Sequence, residues 1–281
     1  MGIDASDGNS VGGGQSMTRA QEQAAPAPTA AAHHRVFEAG LGLEDVARLR
    51  EVVTKTLGRR GALPDGERDH KWWVNLANLY ASHGSGPVGN ILQLMAGTPV
   101  MAWCRAQLGD DLAAVLQYCI FRRFDPPRNP VPAQWHYDAN IFGLHTPMVN
   151  LWIPLVDVGV TAPGLTLVDA ARRPAALWER LVETADQAGQ FDPETRRRTL
   201  FPDADVAAAM AIDPQARFIT PQLKPGGVIA FDQQFLHGTQ ALQPGMGARD
   251  SFEFRVMPVD VARRAGLVDR FQVVHVPKAA A

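Results

Sequence analysis

The chain has 281 residues, 46% of them hydrophobic and 20% charged, with a formal net charge of −2. That length and apolar content suffice for a sizeable core, in one large domain or two small ones. The near-neutral balance and the lack of any basic block exclude a phosphate-binding stripe, and with it a nucleic-acid partner. No run approaches the roughly 20 apolar residues of a membrane span, so no membrane role is expected. The two cysteines, Cys104 and Cys119, lack metal-type spacing and read as buried thiols of a reducing, cytoplasmic compartment.

Residues 1–35 are rich in Gly, Ser, Ala, Gln and Pro without apolar periodicity, and are expected to be a disordered leader. Gly2 and Ser6 match a myristoylation pattern, but no polybasic segment adds the second signal that stable anchoring needs. Met17 is a second candidate start. Residues 36–281 are expected to form a single domain. Its first part, 36–113, is helical: Leu43, Val46, Leu49, Val53 and Leu57 predict a helix over 43–58, and a second helical region runs from about Pro87 to Leu108. The stretch HKWWVNLANLY between them suits a strand or an irregular wall.

From Ala114 to Pro258 the texture is β-like. Short segments recur at 115–124, 133–142, 148–158, 164–170, 217–223, 226–232, 234–240 and 251–258, punctuated by Pro-Gly, Gly-Gly and Asp-Pro turns. A helical insertion at about 172–215 interrupts them, and 259–281 is a C-terminal tail. Short strands without alternating helices predict a mainly β fold with flanking helices, a sandwich or jelly roll.

Chemistry concentrates in Trp135-His136-Tyr137-Asp138. On an extended segment i and i+2 share a side, so His136 and Asp138 converge. A further histidine would complete a 2-His-1-carboxylate face for a divalent first-row metal, leaving positions open for reactants. His237 follows the strand GGVIAFD, 99 positions beyond Asp138. Then comes Arg249-Asp250-Ser251, opening the strand SFEFR. Alternation puts Arg249, Ser251, Glu253 and Arg255 on one face and Phe252 and Phe254 on the other. A guanidinium with a hydroxyl two residues on suits a forked grip on a carboxylate. Arg255 competes with Arg249 for that role, and one of the two is available for an ion pair with Glu253.

The order H-x-D, distal His, R-x-S resembles the Fe(II)/2-oxoglutarate-dependent oxygenases, and among them the phytanoyl-CoA dioxygenase (PhyH-like) family. WHYDANIFG, NLWIPLVDVGVTAPGLTLV and PGGVIAFDQQFLHGT carry the likeness, over roughly residues 115–258. The resemblance implies a double-stranded β-helix (a cupin-like jelly roll) with Fe(II) held by His136, Asp138 and His237. It implies that Arg249, assisted by Ser251, holds the distal carboxylate of 2-oxoglutarate. It also implies oxidative decarboxylation of that cosubstrate with O2, to succinate and CO2, and hydroxylation of a small-molecule substrate. Tyr118, Gln134 and Asn150 are further candidates to reach the cosubstrate. Of Arg122 and Arg123, alternation lets one face inward without saying which. His145 is a loop histidine within reach of a substrate, and Trp152, Trp72 and Trp73 read as packing residues.

Desaturation, cyclisation and epimerisation begin with the same hydrogen abstraction, and the sequence does not separate them. A non-redox cupin-type metalloprotein is the competing class. It has no use for a carboxylate clamp after the distal histidine, which favours the oxygenase. Substrate identity and oligomeric state leave no mark in the sequence.

Overall fold

The described strands sort into two antiparallel sheets, and the central strands of the larger one are near-continuous apolar runs, as burial on both faces requires. The computed structural model describes residues 34–60, 71–124, 135–139, 144, 146–169, 173–187, 200–213 and 215–278, with the backbone alone at 53–60, 71–73 and 184–187. The N-terminal part runs β1 (His34–Phe37), α1 (Leu43–Arg60), β2 (Lys71–Asn75), α2 (Leu76–His83), α3 (Ser85–Ala96) and α4 (Pro99–Leu108). Then follow β3 (Leu112–Val115), a 3-10 turn at Leu116–Tyr118, β4 (Ile120–Phe124), β5 (Val149–Pro154) and β6 (Leu165–Asp169). Two helices, α5 (Ala175–Gln187) and α6 (Asp203–Ile212), precede β7 (Arg217–Ile219), β8 (Val228–Asp232), β9 (His237–Thr239) and β10 (Arg249–Pro258). The chain closes with α7 (Val259–Arg264), α8 (Leu267–Arg270) and β11 (Val273–His275).

Strand β10 organises the larger sheet, which has eight strands among the described residues. On one side it pairs with β5, with Phe252 opposite Ile153 and Arg255 opposite Asn150. On the other it pairs first with β4 and then with β3. Beyond β5 lie β8 and β1, and β2 and β11 flank β4 and β3. The smaller sheet has the order β7-β6-β9, extended by a bridge between His136 and His237.

The larger sheet is buried on both faces. Leu151, Ile153, Val228, Ala230, Phe252 and Phe254 pack against Leu49, Leu79, Ile91, Met95 and Val100 of the N-terminal helices. On the opposite face Trp152, Ile229 and Phe231 meet Leu165 and Leu167 of the smaller sheet. Phe252 also stacks on Phe121, with ring centroids 4.2 Å apart. Truncating a buried Phe typically costs about 3–5 kcal/mol, a large part of a domain's stability of about 5–15 kcal/mol. The helix-facing side of β10 is thus committed to the core, and its other side is left to carry polar groups.

Several boundaries differ from the sequence reading. The helical region expected from Pro87 to Leu108 is two helices. Gly97 ends the first and Thr98 caps the second, its Oγ1 accepting from Met101 N at 3.2 Å, with Pro99 in the first helical turn. The segment 115–124 is a strand end, a 3-10 turn and a second strand, so Tyr118 lies on a turn. The described part of 133–142 contributes single bridges at Trp135 and His136. β1 begins at His34, inside the stretch expected to be leader, and pairs with β8 because its backbone donors and acceptors extend that edge. Gly226, at φ +89, makes the same junction: its carbonyl accepts from Gly40 N and Leu41 N, both at 2.9 Å.

Candidate metal centre and carboxylate seat

His136 and His237 are direct bridge partners at the edge of the small sheet. His136 N donates to His237 O (2.9 Å) and His237 N donates to His136 O (3.1 Å), so both side chains leave the sheet on one side. Their ring centroids stand 4.2 Å apart. Asp138 follows two residues after His136 and is pinned by Ala139 N donating to Gln233 O at 2.8 Å. Candidate ligand atoms of His136, Asp138 and His237 all lie within 4.8 Å of one another, and all three residues are buried. His237 Nδ1 sits 3.0 Å from the carbonyl of Phe235. A carbonyl only accepts, so the proton belongs on Nδ1 and Nε2 presents its lone pair, the usual way a second partner fixes a ligating imidazole.

The carboxylate is oriented as closely. Asp138 Oδ2 accepts from Asn150 Nδ2 (2.9 Å), Arg255 Nη2 (3.0 Å) and Arg255 Nε (3.3 Å). Oδ1 is the oxygen turned toward His136 Nε2, at 3.8 Å. Arg255 Nη1 donates to Glu253 Oε2 (3.0 Å) and to the Tyr118 carbonyl (2.8 Å). Glu253 Oε1 lies 3.2 Å from Arg122 Nη2. Burial alone would lower the pKa of Arg255, but Asp138 and Glu253 outweigh it and hold the value above the ordinary one.

Arg249 is the contrasting case. It is 2% exposed, with Nη1 donating to the Pro163 and Gly164 carbonyls at 3.3 Å each. Its guanidinium lies over the rings of Phe124 (5.3 Å) and Trp152 (5.5 Å). Among the described residues it has no carboxylate partner, and its buried Nε has no hydrogen-bond partner. Burial first, then neighbouring Arg122, push its pKa down to about 10, and Glu253 offsets only part of this. Ser251 Oγ and Trp152 Nε1 are also buried without a hydrogen-bond partner. A buried cation with polar groups unmatched beside it is costly unless an anion completes it. Such a set of donors can accept a carboxylate.

The eight residues singled out from sequence separate accordingly. His136, Asp138 and His237 come together, and Arg249 and Ser251 share the inner face of β10. Asn150 holds Asp138 by its amide. Tyr118 is placed differently from expectation: its ring packs edge-on against Phe271 (5.4 Å), and the group it offers the site is its main-chain carbonyl. Gln134 and His145 lie outside the described residues, as do the side chains of Trp72 and Trp73. Arg122 is the inward arginine, whereas Arg123 is half-exposed beside Asp250 (3.7 Å). Sequence reading missed two contributors. Trp152 was legible, since it stands two residues after Asn150 on the same face of β5. Gln240 was not: its Oε1 accepts from Gly164 N (2.8 Å) and its Nε2 donates to Gly159 O (3.0 Å), bracing the loop that holds Arg249.

No protein-family model matches the sequence, and no curated protein matches it. Solved structures share its fold. One is the non-heme alpha ketoglutarate dependent carbocyclase SnoK from nogalamycin biosynthesis, 16% identical over 89% of this chain and 88% of SnoK, with a TM-score of 0.54. Another is the epimerase SnoN, solved in complex with Fe3+, alpha ketoglutarate and nogalamycin RO. It is 16% identical over 80% of this chain and 79% of SnoN, with a TM-score of 0.51. A third is EvdO2 from Micromonospora carbonacea var. aurantiaca, 18% identical over 80% of this chain and 86% of EvdO2, with a TM-score of 0.50. At such identities the likeness is one of fold: an antiparallel, sheet-rich chain with flanking helices.

Proposed function

We propose that this chain is a mononuclear non-haem Fe(II)/2-oxoglutarate-dependent oxygenase of the PhyH-like kind, built on a double-stranded β-helix and hydroxylating a small-molecule metabolite. One observation carries it: a buried His-Asp-His cluster shares the space between two sheets with a buried arginine that has no carboxylate partner among the described residues. The donor set fits the metal, since two imidazoles and one carboxylate suit a first-row ion and leave positions for other ligands. Iron(II) bound there supplies the redox chemistry, coupling O2 and decarboxylation of 2-oxoglutarate to succinate and CO2 with oxidation of a second substrate.

The chain's own residues bind and orient. His136, Asp138 and His237 hold the metal, with His237 fixed by the Phe235 carbonyl and Asp138 by Asn150 and Arg255. Arg249 grips the distal carboxylate of the 2-oxo acid, and Ser251 Oγ and Trp152 Nε1 donate to the same group. The Pro163 and Gly164 carbonyls hold the guanidinium in place before the ligand arrives, which reduces the ordering cost of binding. The apolar walls of Trp152, Phe124 and Phe231 exclude water from the seat.

Epimerisation or carbocyclisation by the same site is the second reading, favoured by the fold shared with SnoN and SnoK. A non-redox cupin-type role is disfavoured by Arg249, for which it offers no anion. No described helix is long and apolar enough to cross a membrane. Two free, buried cysteines support a reducing, cytoplasmic setting.

Anaerobic addition of Fe(II) and 2-oxoglutarate should give the visible charge-transfer band of a chelated 2-oxo acid. Iron binding without that band would sink the proposal. Succinate release stimulated by one member of a metabolite panel would then name the substrate, and product analysis would separate hydroxylation from the alternatives.

A further inference from the structure

We infer that Arg255 and Glu253 form a positioning device that makes Asp138 a one-oxygen metal ligand. The inference rests on the metal reading above and deepens it. Three donors converge on Asp138 Oδ2, two of them from Arg255, which leaves Oδ1 as the oxygen on the histidine side. A carboxylate held this way offers one oxygen to a cation, because the lone pairs of the other are taken up by three donors. That preserves the coordination positions which reactants need.

The charges alternate outward from the site: Asp138, Arg255, Glu253, Arg122. Asp138, Arg255 and Glu253 are buried, whereas the Arg122 side chain is about a quarter exposed at 26%. If Arg255 neutralised Asp138 alone, its full positive charge would oppose an incoming cation. Shared with Glu253, it contributes direction to the carboxylate with much less net positive potential at the metal. Geometry supports this division of roles, because Nε and Nη2 address Asp138 whereas Nη1 addresses Glu253 and the Tyr118 carbonyl. Arg255 therefore has four of its five donors committed, whereas Arg249 keeps donors for a ligand.

The test uses Mn(II) as probe on the full-length protein, counting free ion by its EPR signal. Arg255→Met/Glu253→Met removes one charge of each sign, so the net charge of the cluster is unchanged while Asp138 loses its guanidinium partner. Wild type should bind one Mn(II), and His237→Ala should abolish binding. The double variant should bind at least tenfold more weakly, and it should melt below wild type because Asp138 keeps only Asn150 as a partner. The d–d absorption of its Co(II) form should also change shape as Asp138 gains the freedom to use both oxygens. Arg255→Lys keeps the charge but presents a single donor to Oδ2. It should bind Mn(II) about threefold more weakly or worse, with an altered Co(II) spectrum, and it carries the test if the double variant does not fold. Unchanged affinity and an unchanged Co(II) spectrum in either folded variant overturn the positioning role alone. A wild type that binds no Mn(II) overturns the metal seat and the positioning role together.

Discussion

Replacing Arg249 by methionine should separate ligand binding from stability in an unusual way. Truncating a buried side chain of this size ordinarily weakens a fold, yet here the folded state carries an uncompensated charge. Holding that charge lowers the Arg249 pKa to about 10, which at about 1.36 kcal/mol per pH unit corresponds to a penalty of roughly 3 kcal/mol on the charged form. Methionine removes the penalty and fills most of the volume. Against this stand the lost contacts with Phe124 and Trp152 and the two long bonds to the Pro163 and Gly164 carbonyls. A carbonyl left without its donor costs about 1–3 kcal/mol. The two sides nearly cancel, so the ligand-free variant should melt within a few degrees of wild type. Removing one partner of a buried, hydrogen-bonded charge pair costs about 2–5 kcal/mol in binding. The dissociation constant for 2-oxoglutarate should accordingly rise by roughly 30-fold to several thousand-fold, and the ligand's thermal stabilisation should shrink with it. Calorimetry and melting curves on the Mn(II)-loaded protein, which does not turn over, read both quantities. Unfolding of the variant without ligand, or unchanged affinity for 2-oxoglutarate, would show that Arg249 is a structural residue.

Three further outcomes follow from buried groups elsewhere. The hydroxyl of Tyr137 is buried without a hydrogen-bond partner among the described residues, so Tyr137→Phe should be neutral or stabilising by up to about 1 kcal/mol in chemical denaturation; a loss above about 2 kcal/mol contradicts this. Burial pushes the thiols of Cys104 and Cys119 up to about 12, so the native protein should resist a thiol reagent at pH 8 and expose two reactive thiols in guanidinium. Because the folded state favours their protonated forms, stability from this source is complete below the ordinary thiol value of 9.0 and is lost as pH rises from there toward about 12; a melting temperature that climbs over that window runs against the sign. Gly226→Ala should cost roughly 1–3 kcal/mol from its positive φ alone, and more because the new Cβ would stand 2.6 Å from the Leu41 carbonyl oxygen; an unchanged melting temperature refutes the strain.

Whatever depended on local period was legible in the sequence. Alternation put Arg249, Ser251, Glu253 and Arg255 on one face of β10 and the two phenylalanines on the other, and this is how the strand packs. The convergence of His136 and Asp138 came from the same rule. What escaped depended on tertiary partners. Arg255 and Asp138 are 117 positions apart, and no periodicity links them, so the competition between the two arginines stayed open until their partners were visible. Tyr118 was expected on a strand, but the Leu116–Tyr118 segment turns and sends its ring to Phe271. β1 and β11 were missed because short edge strands with mixed polarity take their identity from the strand they join.

The helices between β6 and β7 rest on the back of the segment that carries His136 and Asp138. Trp178 of α5 and Phe201, just ahead of α6, meet Tyr137 edge-on at 5.5 and 5.7 Å, and Trp135 Nε1 donates to Asp203 Oδ1 at 2.7 Å. Tyr137 stands between two of the three candidate ligands, so this segment is not a detachable module. A chimera that imports a foreign segment to reach a new substrate would also reset the backbone carrying His136 and Asp138. Grafts that retain Trp178, Phe201 and Asp203 would change the visitor while leaving the anvil in place.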